Sequence, residues 1–296
     1  MKGVILAAGK GTRLGEIGSL TSKPALPLMG KTLLERVYEI FVDHFDSIVI
    51  VINPQDRLTK KILEDKDWKR TQVEVVEQTQ PLGSADALRQ AWPYVEDACV
   101  VTGCDNIVQT TFIADLCTQF KRRKPDALVA LYAIERVLGS PGSVVETDHN
   151  DRITTIIEKP RPGELLSDQM ALPLYAFQKD FYQDLVSIEL SERNEFEIPS
   201  AIQHLIERGG VVMGTESSWR MTINTPEEYL AAVREMLLMD KKAHREPPHE
   251  LNPGTNIRKP VHIEDSVFIG EGATIGPCAY LMEGSSIGYG ARVRDS

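Results

Sequence analysis

From Ile257 onward the chain repeats itself every six positions. Ile257, Ile263, Ile269, Ile275, Leu281, Ile287 and Val293 form one aliphatic track, and Val261, Val267, Ala273, Ala279, Ser285 and Ala291 form a smaller one two places earlier. A repeat of this length cannot bury its apolar side alone. Stacked coils can, and a parallel β-helix with flat faces is the arrangement that the two tracks fit. Residues 255–296 are therefore set apart as a module of their own.

The stretch before that module has no such order. DKKAHREPPHELNPG, residues 240–254, is polar, carries three prolines and lacks apolar periodicity, which predicts a linker. Residues 1–239 alternate short β-rich runs with amphipathic ones: GVILAA, KTLLERVYEIFVDHF, SIVIVIN, LTKKILEDK, VEVVEQ, GSADALRQAW, ACVVTGCDN and TFIADLCTQFKRR. That alternation predicts βαβ units, an α/β fold with a mainly parallel sheet and helices on both faces. Further strands are expected in DALVALYAI, SVVET, RITTIIEK and ALPLYAF, and helices in EIPSAIQHLIERG and TPEEYLAAVREMLLM. The last helix has a start signal, with Thr225 as N-cap, Pro226 in the first position and Glu228 placed to close a capping box.

The first strand empties into LAAGKGTRLGEIGSLTSKPALPL, residues 6–28. Gly9, Gly11 and Gly15 can take positive φ or let a ligand approach the main chain, so N–H groups can converge beside Arg13 and Lys23. Such a loop suits a phosphate; a mobile loop with two solvated charges is the alternative. The formal charge of −10 argues against nonspecific nucleic-acid or anionic-membrane binding and leaves small molecules as the expected partners. The N-terminal apolar run is too short for a secretory signal and no membrane-length segment follows it, so a cytoplasmic protein is expected. Cys99, Cys104, Cys117 and Cys278 form no C-x-x-C pair, and the six histidines show no metal-ligand spacing.

Taken with later segments, LAAGKGTRL and SKPALPLMGKTLLE resemble the signature of the sugar-1-phosphate nucleotidyltransferases, the nucleotide-sugar pyrophosphorylases, over the first 240 or so residues. The resemblance implies a Rossmann-like fold of that type. It assigns Leu6, Ala7, Ala8, Gly9, Gly11, Thr12, Arg13 and Lys23 to an NTP, with Arg13 and Lys23 neutralising the triphosphate. EQTQPLGSADAL resembles the base-recognition segment, giving Gln78, Gly83 and Ser84; these are otherwise a strand end and the loop before a helix. VVTGCDN resembles the strand end that places a magnesium-binding carboxylate, here Asp105, and a turn or N-cap Asp is the other reading. IIEKP resembles the E-K-P motif, so Lys159 would hold the sugar phosphate and Glu158 a sugar hydroxyl, with a surface ion pair as the plain alternative. NEFEIPSAI places Glu195 at a sugar-contacting position, or is simply an exposed helix start. The implied reaction is attack by a sugar-phosphate oxygen on the NTP α-phosphorus with pyrophosphate leaving in line, Arg13, Lys23, Asp105 and Lys159 carrying it.

The six-residue module resembles the hexapeptide-repeat, left-handed β-helix, in which three hexapeptides make a coil. Its last coil stops in register without a capping segment, so a partner copy of the chain or a longer sequence is expected to cover it, and a homo-oligomer through the β-helix is the expectation. Two departures stand out. In WRMTINTPEEY, Thr222 occupies the place of the family's second magnesium-binding Asp, with Asn224 as a neutral substitute ligand, and Pro173 stands where a glycine usually donates its N–H to the sugar. Two further readings follow from them, a cytidylyltransferase acting on a non-sugar phosphate such as phosphocholine and a non-catalytic nucleotide-sugar-binding regulatory subunit; the six-residue module adds another, the front part of a bifunctional acyltransferase.

Overall fold

The computed structural model describes residues 1–65, 68, 71–134, 142–161, 167–240, 243 and 251–296. The chain opens with β1 (Lys2–Ala7), a 3-10 turn (Thr12–Leu14), α1 (Glu16–Leu20) and the hairpin of β2 (Pro27–Leu28) and β3 (Lys31–Thr32). It continues through α2 (Leu33–Phe41), β4 (Ser47–Ile52), α3 (Arg57–Asp65), β5 (Gln72–Glu77), α4 (Ser84–Ala91), β6 (Ala98–Gly103), β7 (Asn106–Val108), α5 (Thr110–Arg123) and β8 (Ala127–Ala133). Then come β9 (Ser143–Thr147), β10 (Ile153–Glu158), β11 (Gln169–Gln178), α6 (Tyr182–Ser187), α7 (Ile198–Glu207), β12 (Val212–Glu216), β13 (Arg220–Thr222) and α8 (Pro226–Met239).

SIVIVIN shows why the sheet sits where it does. Successive side chains of a strand point to opposite faces, and in β4 Ile48, Ile50 and Ile52 enter one core with residues of α2, α5 and α8, while Val49 and Val51 enter the other with residues of α4 and α7. Both faces are thus covered by helices, as expected for apolar strands with no polar face. The nine-stranded sheet has the order β10-β9-β11-β6-β1-β4-β5, with β8 beside β11 and β12 beside β8. β1, β4, β5, β6, β8, β9 and β12 run one way; β10 and β11 run the other. The strand β12, in VVMGTE, carries no start or stop signal strong enough to be read from sequence and is placed by its parallel pairing with β8.

This topology makes a site. β1 pairs with β6 in parallel, Leu6 opposite Gly103, so the glycine-rich loop and the Cys104–Asp105 turn leave the sheet at one end. β1 is also where connections turn from one side of the sheet to the other, and ligands of open α/β sheets lie outside the carboxyl ends of strands at such a point.

Local details follow from particular residues. Pro173 lies within β11 but costs no ladder bond: pairing to β9 ends at Ala171, pairing to β6 begins at Leu174, and the register to β8 shifts between Ala171 and Tyr175. Thr225 caps α8 as expected, its hydroxyl accepting from Glu228 N–H at 3.2 Å. The expected reciprocal bond is shifted by one residue, because Glu228 Oε2 accepts from Asn224 N–H at 2.6 Å rather than from the cap itself. That shift fixes the backbone of Asn224.

The six-residue period builds β14 (Asn256–Ile257), β15 (Val261–Ile263), β16 (Phe268–Ile269), β17 (Thr274–Ile275), β18 (Ala279–Leu281), β19 (Ser286–Ile287) and β20 (Arg292–Val293). All pair in parallel, Asn256 with Thr274 with Arg292, Val261 with Ala279 and Phe268 with Ser286, a step of 18 residues or three repeats per coil. Both sequence tracks face inward in one cluster containing Val261, Ile269, Ala273, Ile275, Ala279 and Leu281. Cys278 and Tyr280 of these coils join the core under α2 and α8. The Tyr280 hydroxyl accepts from Gly30 N–H at 3.0 Å and bonds the Glu264 carboxylate. Most of the linker expected at 240–254 lies outside the described residues.

Candidate active site

A cavity of about 630 Å³ opens at the carboxyl ends of β1 and β6. Gly9, Gly11, Thr12 and Arg13 line it with Leu6 and Ala8. Ala7 departs from expectation: its side chain is 1% exposed and lies in the core, because alternation along β1 turns it away from the opening. Gly11 and Gly15 adopt φ of 63° and 57°, the left-handed values that favour glycine. Gly9 needs no such value, but a side chain there would stand in open space at the cavity mouth, where a ligand can approach the main chain.

Lys23 crosses from the end of the loop to the turn after β6. Its ammonium pairs with Asp105 Oδ2 and donates to Asn224 Oδ1 at 2.8 Å. Arg13 donates to the same Asn224 oxygen at 2.8 Å, and Asn224 Nδ2 donates to Thr222 Oγ1 at 3.0 Å. Asp105 and Asn224 thus aim two hard oxygens at one point where a cation already sits. That donor set suits a divalent cation completed by phosphate oxygens rather than by a protein cage, and among the described residues no group of three His, Cys, Asp or Glu side chains forms such a cage. Cys104, beside Asp105, is 4% exposed, and burial pushes its thiol up to about 12, so it stays protonated at neutral pH.

Gln78 is buried at the end of β5, and its amide hydrogens go to Gly83 O at 3.0 Å and Asp86 Oδ2 at 2.8 Å. With both hydrogens spent, the side chain offers the cavity an acceptor, its carbonyl oxygen. Gly83 has φ of 104°, and a Cβ there would lie 2.4 Å from Phe196 O, so the glycine is required by packing against the chain before α7. Ser84 Oγ accepts from Ile198 N–H at 3.1 Å and ties the starts of α4 and α7 together.

The far end of the cavity carries Glu158, Lys159 and Glu195. Lys159 has φ of 46°, and its N–H bonds Gly142 O at 3.0 Å, so the chain turns sharply at the end of β10. Glu158 is bonded by Ser143 Oγ and reached by Arg193 Nη2 at 3.5 Å, while Arg193 also pairs with Glu197. Burial holds the Glu197 carboxyl above its ordinary range, with the hydrogen bond from Arg193 opposing it and the charge of Glu158 adding to it. Sequence reading missed Ser143, Arg193, Glu197, Thr222 as a hydrogen-bond partner, and Arg220, which also lines the cavity. Only alternation within β13 signals the last of these, and three residues are too few to display a period.

Among the described residues, no helix is long and apolar enough to cross a membrane. The bifunctional protein GlmU of Methanococcus maripaludis strain C5 is 29% identical over 71% of this chain and 48% of its own length, so the chain spans about half of that relative. The glucose-1-phosphate thymidylyltransferase of Streptomyces antibioticus is 29% identical over 100% of this chain and 80% of its own. A crystal structure of UDP-glucose pyrophosphorylase complexed with UDP-glucose superposes with a TM-score of 0.70, covering 81% of this chain and 99% of that one at 19% identity, a likeness of fold. The family model for nucleotidyl transferases matches residues 2–236, and this chain belongs to the nucleotidyl transferase family.

Proposed function

We propose that the protein condenses an NTP with a sugar 1-phosphate to give an NDP-sugar and pyrophosphate. The observation that carries this reading is the convergence in one cavity of the glycine loop, Arg13, Lys23, Asp105, Asn224, Glu158 and Lys159, which come from four separate stretches of the chain. The similarity to a glucose-1-phosphate thymidylyltransferase over the whole chain supports the reaction class.

In this mechanism the loop amides and Arg13 hold the triphosphate, and the Gln78 carbonyl accepts an N–H of the base. Lys23 exchanges Asp105 for phosphate oxygen as the nucleotide enters. Lys159 holds the acceptor's phosphate, whose oxygen is already ionised and needs no general base. A bond forms from that oxygen to the α-phosphorus while the bond to the β-phosphate oxygen breaks, and the electron pair leaves with pyrophosphate. Arg13 and Lys23 neutralise the departing charge, so positioning and electrostatics carry the rate. Asp105 and Asn224 would hold Mg²⁺, which supplies charge neutralisation on the phosphates when bound. Glu158, poised by Ser143 and Arg193, accepts from an acceptor hydroxyl.

We place the functional boundaries at 1–239 for transfer and 255–296 for the β-helix. The latter is the surface through which copies associate, which its exposed Phe268 and Tyr289 support; a monomer by light scattering at micromolar concentration would oppose this. The reaction is tested by measuring pyrophosphate release with Mg²⁺ across the common NTPs and dTTP, each with hexose 1-phosphates and with phosphocholine. Release that depends on a hexose 1-phosphate is expected. Release with phosphocholine alone, or nucleotide binding with no release, would replace this reading.

A further inference from the structure

β13 turns its side chains alternately. Met221 and the following Ile223 are 5% and 0% exposed in the core, so Arg220 and Thr222 face the cavity. Thr222 is engaged by Asn224. Arg220 is not engaged by any acid: its guanidinium lies over the Tyr132 ring, 5.1 Å from the centroid, with Nη2 3.7 Å from Met170 Sδ, and among the described residues it has no ion-pair partner. Asp105 and Glu228 act on it at longer range only, and both are committed, to Lys23 and to Asn224 N–H.

A guanidinium has five N–H donors, and a thioether sulfur and an aromatic face are weak substitutes for oxygen. Removing such a group from water without an anion is costly, and a planar bidentate oxyanion is the partner that its geometry matches. The place of Arg220 narrows the choice. Tyr132 pairs with Met170, Met170 with Val144, and Val144 with Ile157, the residue before Glu158. Arg220 therefore stands three strand spacings, roughly 14 Å, across the sheet from the Glu158–Lys159 turn. Long side chains reach into the same cavity from both sides of that gap.

We propose that Arg220 binds a second anionic group on the acceptor, remote from the reacting phosphate, so that the preferred acceptor is an anionic sugar 1-phosphate. This rests on the reaction proposed above. The recognised chemistry is a carboxylate or a phosphate: a uronic acid 1-phosphate supplies the first, a hexose bisphosphate the second.

The test compares the wild type with Arg220→Met, which keeps length and packing over Tyr132, and Arg220→Lys, which keeps charge. Glucose 1-phosphate, glucuronate 1-phosphate and glucose 1,6-bisphosphate are assayed with the NTP that gives the most pyrophosphate, and their binding to the protein is measured by calorimetry. The wild type is expected to favour one anionic acceptor by roughly tenfold or more in kcat/KM; Arg220→Met erases the preference and Arg220→Lys keeps part of it. Which anionic acceptor is favoured identifies the group. A wild type that uses glucose 1-phosphate as well as both anionic acceptors overturns the proposal, as does an equal loss for all three in Arg220→Met. If no pair releases pyrophosphate, the reaction itself is wrong, and binding still decides the inference: tighter binding of an anionic acceptor to wild type but not to Arg220→Met sustains it, and equal binding refutes it.

Discussion

Replacing Asp105 by Asn keeps the size and one acceptor oxygen and removes a single charge. Lys23 and Asp105 have side-chain exposures of 11% and 18%, so their pair is neither a surface bridge nor fully buried. At a charge separation of about 4 Å and an effective dielectric near 20, the direct attraction is about 4 kcal/mol. Most of it is offset because the carboxylate no longer has to be desolvated, and Asn224 still accepts from Lys23 at 2.8 Å. The folded state should therefore lose about 1–2 kcal/mol, roughly 2–8 °C in Tm for a chain of this size. The catalytic loss should be larger. Asp105 is the only carboxylate aimed at the point shared with Asn224 among the described residues, and losing one preorganised electrostatic contact of this kind costs roughly 100- to 1,000-fold in rate, about 3–4 kcal/mol. Thermal unfolding and initial rates at saturating Mg²⁺ separate the two effects. A folded Asp105→Asn protein with kcat/KM within roughly threefold of wild type would refute the role given to this residue.

Other expectations concern different parts of the fold. Gly83→Ala places a Cβ 2.4 Å from Phe196 O at a φ of 104°, so a loss of about 2–4 kcal/mol in denaturant unfolding is expected, and an unchanged midpoint would show that the segment shifts freely. Tyr280→Phe removes a hydroxyl shared by Gly30 N–H and Glu264, and should cost about 1–2 kcal/mol; no change in Tm would mean that the coil is not fastened there. Glu197 has its folded-state carboxyl raised above 4.5 by burial, so its favourable contribution is present below that value and is lost as pH rises through the raised one. Glu197→Gln should therefore gain stability relative to wild type as pH rises above about 4.5, and a Tm difference that stays constant as pH is raised from below that value contradicts the assignment.

What could be read in advance was whatever depends on local spacing. The six-residue tracks state the coil repeat directly, since three repeats return each residue to its ladder partner, as Asn256, Thr274 and Arg292 do. The glycine loop and the E-K-P turn are likewise contiguous. Partnerships between distant residues are not contained in any window. Lys23 meets Asp105 across 82 positions only because β1 and β6 are neighbours, and Arg13 meets Asn224 across 211. The charge run of NEFEIPSAI reads as an exposed helix start, yet Glu197 within it is 6% exposed and paired with Arg193, a partner that lies outside that segment. At α8 the spacing of Thr225 and Glu228 states the cap, but Glu228 bonds the residue before the cap, a displacement that propensity has no means of registering.

The proposed reaction joins a nucleotide to a sugar phosphate in one cavity by a single displacement. The most direct measurement incubates the protein with Mg²⁺, one NTP and one sugar 1-phosphate, and quantifies NDP-sugar by mass spectrometry beside pyrophosphate released. Equal amounts of the two products, both abolished in Asp105→Asn, are predicted. Pyrophosphate formed without an NDP-sugar, or NDP-sugar formed at the wild-type rate by Asp105→Asn, would contradict the account.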